Sequence, residues 1–113
     1  MSRVLLVAVL LTAIALQSLP TVAAELLEDG EKCADSRPSN LQEANARCRS
    51  GKCAPAPSIR AQTPAWYCIA EYMSCALPGT VGAAANAYVV LEGTKYQCLD
   101  PRTGDPYRFA PIR

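Results

Sequence analysis

The sequence predicts a small, disulfide-rich α+β domain: one or two short helices packed on a β-hairpin or small antiparallel sheet, held by three disulfides. Three observations lead there. Six cysteines occur in a 113-residue chain that begins like an exported protein, and an even count in that setting reads as a disulfide framework. So small a core rarely stabilises itself alone. A capped apolar-periodic segment near residue 40 reads as a helix, and two β-rich runs near residue 93 face each other across a two-residue turn.

The chain opens Met1-Ser2-Arg3, runs apolar from Val4 to Leu16, meets Leu19-Pro20, and then carries Thr21-Val22-Ala23-Ala24 before Glu25. A positive start, a short apolar run and small residues ahead of a polar one describe a secretory signal peptide, residues 1–24, cleaved after Ala24. The apolar run is shorter than the roughly 20 residues that span a bilayer, so no stable membrane insertion is expected after cleavage. Removing 24 of 113 residues leaves 89. Of the 11 basic residues only Arg3 goes with the signal, so the remaining 10 balance 10 acidic ones. A neutral domain is not built for nonspecific nucleic-acid binding, which needs many phosphate-neutralising cations.

The cysteines are Cys33, Cys48, Cys53, Cys68, Cys75 and Cys98. The rival reading is a metal or redox site. No Cys-x-x-Cys occurs and the chain has no histidine, whereas zinc sites rely on tight cysteine pairs or histidine and thioredoxin-like chemistry relies on Cys-x-x-Cys. Structural disulfides are therefore expected, with no metal and no cofactor. The run Cys48-Arg49-Ser50-Gly51-Lys52-Cys53 resembles the Cys-x-Ser-Gly-x-Cys stretches of many unrelated secreted cysteine-rich modules, and it points to no single family.

All seven aromatic residues lie from Trp66 onward. Because aromatics carry the largest buried areas, the core is expected in 65–113, with 25–64 as a cysteine-tied wrapping segment of the same single domain. Ser39 with Gln42 three residues on is a capping-box pattern. The helix it starts places Leu41, Ala44 and Cys48 on one face, and Gly51 stands where such a helix would end. Ala54-Pro55-Ala56-Pro57 reads as an extended connector. A second helix is expected from Thr63, with Pro64 at its first position, to just before Pro78-Gly79; a strand through Tyr67, Ile69, Glu71 and Met73 is the weaker alternative because it buries a glutamate. On the helix Cys68 and Cys75 would stand about 10 Å apart, too far to bridge each other.

Tyr88 to Leu91 and Thr94 to Leu99 then form a hairpin around Glu92-Gly93. Pairing Leu91 with Thr94 sets Val89 opposite Tyr96 and Ala87 opposite Cys98. One face becomes apolar (Val89, Leu91, Tyr96, Cys98), while Lys95 and Gln97 point outward. Tyr107 and Phe109 alternate as a short third strand before Pro111. The expected bridge is Cys75–Cys98, with the other four cysteines tying down the first half.

The chemistry is mostly negative. Without histidine the commonest general base is missing, and no Gly-x-Ser-x-Gly elbow, Ser-x-x-Lys or phosphate-cradling glycine loop is present. Glu71 reads as a solvated charge. Asp100, Thr103 and Asp105 could approach calcium around Gly104, but their spacing fails the EF-hand pattern and suits an ordinary turn. Arg47, Arg49, Lys52 and Arg60 form one basic cluster that could dock on an acidic partner. Trp66 and Tyr67 could add aromatic contacts, since such residues dominate interface energetics.

The reading is a non-enzymatic, secreted or periplasmic binding protein: an interaction, inhibitor or accessory-subunit protein whose partner is another protein or an extracellular ligand. The alternative is a small secreted effector or toxin acting on a target cell.

Overall fold

A computed structural model describes residues 25–60 and 62–112; the segment read as a signal peptide lies outside the described residues. The order is β1 (Lys32–Ala34), α1 (Leu41–Arg47), β2 (Cys53–Pro55), β3 (Trp66–Cys68), β4 (Tyr88–Leu91), β5 (Thr94–Leu99) and β6 (Arg108–Pro111). Two three-stranded antiparallel sheets result, β1-β3-β2 and β4-β5-β6. With one helix and three disulfides, this is the small disulfide-rich α+β architecture that the sequence predicts.

The first sheet is built of three-residue strands around β3. Cys53 pairs with Cys68, Ala54 with Tyr67 and Pro55 with Trp66. Pro55 fits because β2 is an edge strand, where a missing N–H costs no ladder bond. Helix α1 packs beside this sheet. Asn40 caps it, its side-chain oxygen accepting from the Glu43 N–H at 3.1 Å, so the cap falls one residue later than Ser39. Ala44 and Cys48 are buried, and Leu41 packs against the same cluster, as the helical spacing requires. The helix stops at Arg47 because Cys48 turns extended. Gly51, at φ 79°, closes the following turn by donating to the Cys48 carbonyl.

The second helix expected from Thr63 does not form. Residues 66–68 are instead the central strand of the first sheet, with Trp66 and Cys68 buried and Tyr67 half-buried. The chain then makes a tight turn, the Met73 N–H donating to the Ala70 carbonyl at 2.9 Å, and Tyr72 is 73% exposed. Helical spacing loses here to tertiary pairing. Strand β3 takes partners on both sides, and Cys68 and Cys75 are each drawn to a different element by their bridges.

The hairpin follows the predicted register: Leu91 opposite Thr94, Val90 opposite Lys95, Val89 opposite Tyr96 and Tyr88 opposite Gln97. Glu92 and Gly93 both have positive φ, 48° and 82°, as a two-residue turn that matches the strand twist demands. Tyr96 and Cys98 point into the core with Phe109 of β6, and Val89 and Leu91 pack against them. Outside, Tyr88 and Val90 remain exposed, with the Lys95 ammonium 4.4 Å from the Tyr88 ring centre. The third strand expected around Phe109 is β6, running antiparallel to β5.

The bridges are Cys33–Cys53, Cys48–Cys68 and Cys75–Cys98. The first joins the two outer strands of the first sheet, the second ties the end of α1 to β3, and the third fastens the 69–87 connection to β5. Burial is not confined to 65–113: Cys33, Ala44, Cys48, Cys53, Ala54 and Ala56 are all buried. The 25–64 segment thus supplies core rather than only a wrapping, with cysteine and alanine doing what aromatics do in the second sheet.

Candidate functional site

The two sheets meet along a cleft of about 310 Å³. Its floor is Trp66 of β3 and Phe109 of β6, each about 5% exposed. Pro55, Ala56, Pro64 and Pro106 also line it. The local sequence explains this. The Ala56 N–H donates to the Ala65 carbonyl at 3.0 Å, which holds the proline-rich strand end beside the start of β3. Asp105-Pro106 brings the chain back across to begin β6. A larger hollow of about 420 Å³ lies beside β1 and α1, but its walls come mainly from the polar loop 35–40. The cleft is the better candidate because it combines an apolar floor with a few convergent charges.

Those charges are Arg37, Asp105 and Arg108. The Arg37 guanidinium donates to Asp105 Oδ1 at 2.6 Å, linking the loop before α1 to the loop before β6. The Thr103 hydroxyl donates to the other carboxylate oxygen at 3.0 Å. The Arg37 hydrogen bond, then that of Thr103, hold the Asp105 carboxyl below its ordinary value of 3.8, and Arg108 adds a favourable charge. The same pair raises Arg37 above its ordinary value. Among the described residues Arg108 has no ion-pair partner, so the mouth carries two guanidinium groups against one carboxylate.

Each of the four basic residues read as a cluster from the sequence takes its own partner. Arg47 donates to the Cys33 carbonyl at 2.8 Å and lies 3.8 Å from Glu43. Arg49 pairs with Glu28 at 2.7 Å. The Lys52 ammonium donates to the carbonyls of Glu71 and Met73, closing the turn that follows β3. Arg60 reaches Glu92 at 2.7 Å, fastening the first half to the hairpin tip. None of the four lines the cleft. Trp66 does, though as its floor and not as an exposed contact, while Tyr67 packs half-buried against Ile69 and its neighbours.

Of the loop read as a weak calcium candidate, Asp105 is the ion-paired group just described. Asp100 instead caps a turn, accepting from the Arg102 N–H at 2.8 Å. The sulfurs of Cys33, Cys48 and Cys68 lie within 4.8 Å of one another. The cause is two disulfides packed side by side, and sulfur in a disulfide is not the thiolate that binds metal.

The cleft residues Arg37, Pro106 and Arg108 escaped sequence reasoning because 71 residues separate Arg37 from Arg108 and no local spacing joins them. The one available signal was Asp105-Pro106 just ahead of an alternating aromatic pair. In comparisons with protein-family models, curated proteins and solved structures, nothing matches this chain.

Proposed function

We propose that this chain is an exported, disulfide-stapled binding protein whose inter-sheet cleft receives part of a partner protein. The cleft carries the reading: an apolar floor of Trp66 and Phe109 with charges only at its mouth is the composition of a recognition pocket, apolar for affinity and polar for orientation. Three disulfides suit an oxidising environment, and among the described residues no helix is long and apolar enough to cross a membrane. With the signal-like start of the sequence, the disulfides support secretion or periplasmic residence.

Catalysis is not part of the proposal. The one carboxylate of the cleft is held in its charged form by Arg37 and Thr103, which makes it a poor proton acceptor.

Thr63 lines the cleft and is exposed, so Thr63→Trp should fill it without disturbing the floor. The immobilised mature protein is expected to retain a partner from the extracellular fraction of its producing culture. Thr63→Trp should lose that partner, and an Arg47→Gln/Arg49→Gln variant should keep it. The reverse pattern would move the interface to the basic residues and overturn the cleft assignment.

A further inference from the structure

Resting on the cleft reading, we propose that the cleft recognises the carboxy terminus of a peptide chain whose last residue is apolar, with the terminal carboxylate at the mouth beside Arg37 and Arg108. Three observations carry this. The first is the chemistry of the walls. Pro55, Pro64 and Pro106 offer no N–H donor, and Trp66 and Phe109 close the floor. The interior therefore suits an apolar side chain and leaves the ligand's polar groups to be satisfied at the mouth.

The second is charge. Both oxygens of Asp105 are already engaged, by Arg37 and Thr103, and Arg108 is unpaired among the described residues. The mouth has one positive charge in surplus, which a single carboxylate complements. Guanidinium is the side chain best shaped to hold a carboxylate through paired N–H groups. The third is size. About 310 Å³ stands at the low end of ligand pockets, room for one side chain. A chain terminus sets an apolar side chain and a carboxylate on the same carbon, so one residue meets both requirements.

The chain has a single tryptophan, and it forms the cleft floor, so its fluorescence reports occupancy directly. The probes are a tetrapeptide ending in phenylalanine as the free acid, the same peptide as its C-terminal amide, and N-acetylphenylalanine. The oxidised mature protein should show a saturable change in Trp66 emission with the acid. The amide should bind about tenfold more weakly, the order of one charge-assisted contact. Arg108→Gln, at an exposed side chain, should erase most of that preference, and Thr63→Trp, followed by titration calorimetry because it adds a second tryptophan, should abolish both interactions.

Equal binding of acid and amide, blocked by Thr63→Trp, would overturn the carboxylate inference while leaving the cleft as the binding site. Binding that survives Thr63→Trp would overturn both. A free acid that keeps its tenfold preference with Arg108→Gln would remove Arg108 from the site and overturn the arrangement proposed. N-acetylphenylalanine binding as tightly as the tetrapeptide would show that a small carboxylate, and not a peptide terminus, is what the cleft selects.

Discussion

The two sheets have the same number of strands and opposite means of holding them together. The first has strands of three residues, and four of the six buried residues in its main cluster are disulfide cysteines. The second has strands of four, six and four residues, and its cluster adds Tyr96 and Phe109 to a single bridge. Cross-strand side-chain pairs are the unit of sheet stability, and three-residue strands provide few of them. Where pairs are scarce, covalent closure and capped turns substitute. Where strands are long enough to alternate, packing carries the sheet.

The contrast is broken most severely by removing the first sheet's own bridges. Each closes a separation of 20 residues, worth about 3 kcal/mol of chain entropy. Replacing Cys33, Cys53, Cys48 and Cys68 with alanine should therefore cost about 6 kcal/mol, comparable to the whole stability of a small domain. In that variant, hydrogen exchange should show the backbone amides at position 68 and Ile69, which donate to Glu31 and Lys52, losing protection before that of Cys98 in the second sheet. Equal loss in both sheets would contradict the division.

Next in size is Gly82→Ala, at the connection between the halves. Gly82 has φ 107°, and a Cβ there would stand 2.8 Å from the Cys75 carbonyl oxygen and 3.0 Å from Ile69. Left-handed strain and overpacking together should cost about 3 kcal/mol in a denaturant titration. A neutral Gly82→Ala would show that this connection yields more easily than its packing implies.

Two local substitutions sharpen the comparison further. Asn40→Ala should destabilise the first half by about 1 kcal/mol through loss of the α1 cap. Glu92→Asn should gain roughly 0.5 kcal/mol in the second, since asparagine tolerates the left-handed position better than glutamate. The lost Arg60–Glu92 pair is exposed and offsets only part of that gain. Paired thermal melts of the two variants should move in opposite directions.

The smallest effect is pH-dependent. Asp105 has its carboxyl lowered in the folded protein, chiefly by Arg37. Its contribution is thus present in full above the ordinary carboxylate range and is lost as pH falls through the folded value. Arg37, raised further, stays charged throughout. Asp105→Asn should remove that contribution at neutral pH, a small loss because the pair lies at the surface, and should flatten the acid dependence of the fold. NMR titration of Asp105 should place its midpoint below 3.8.

The same contrast explains what the sequence made legible. The hairpin was readable because four- and six-residue strands alternate cleanly and Glu92-Gly93 interrupts them. The bridge Cys75–Cys98 was also foreseen, because Cys98 falls on the apolar face of that hairpin. Its other end was foreseen for the wrong reason, since Cys75 lies on an irregular connection and not on a helix. A strand at β3 ranks below a helix in the sequence because three residues carry no measurable period, and Thr63-Pro64 imitates a helix start. Its strand character comes from β1 and β2 lying on either side, a tertiary fact. The cleft was missed likewise: only the floor residue Trp66 stood out, whereas Arg37 and Arg108 meet through loops closed by pairing and disulfides.

Both the division between the sheets and the cleft between them rest on the covalent framework, so mapping the disulfides of the oxidised protein tests it most directly. Trypsin, cutting after Lys32, Arg47, Arg49, Lys52, Arg60, Lys95 and Arg102, should leave peptide 33–47 joined only to 53–60. Peptide 48–49 should be joined to 61–95, which in turn carries 96–102. A second cut at Glu71 should separate Cys48–Cys68 from Cys75–Cys98. Recovery of Cys68 bonded to Cys75, or of Cys33 bonded to Cys48, would contradict the account.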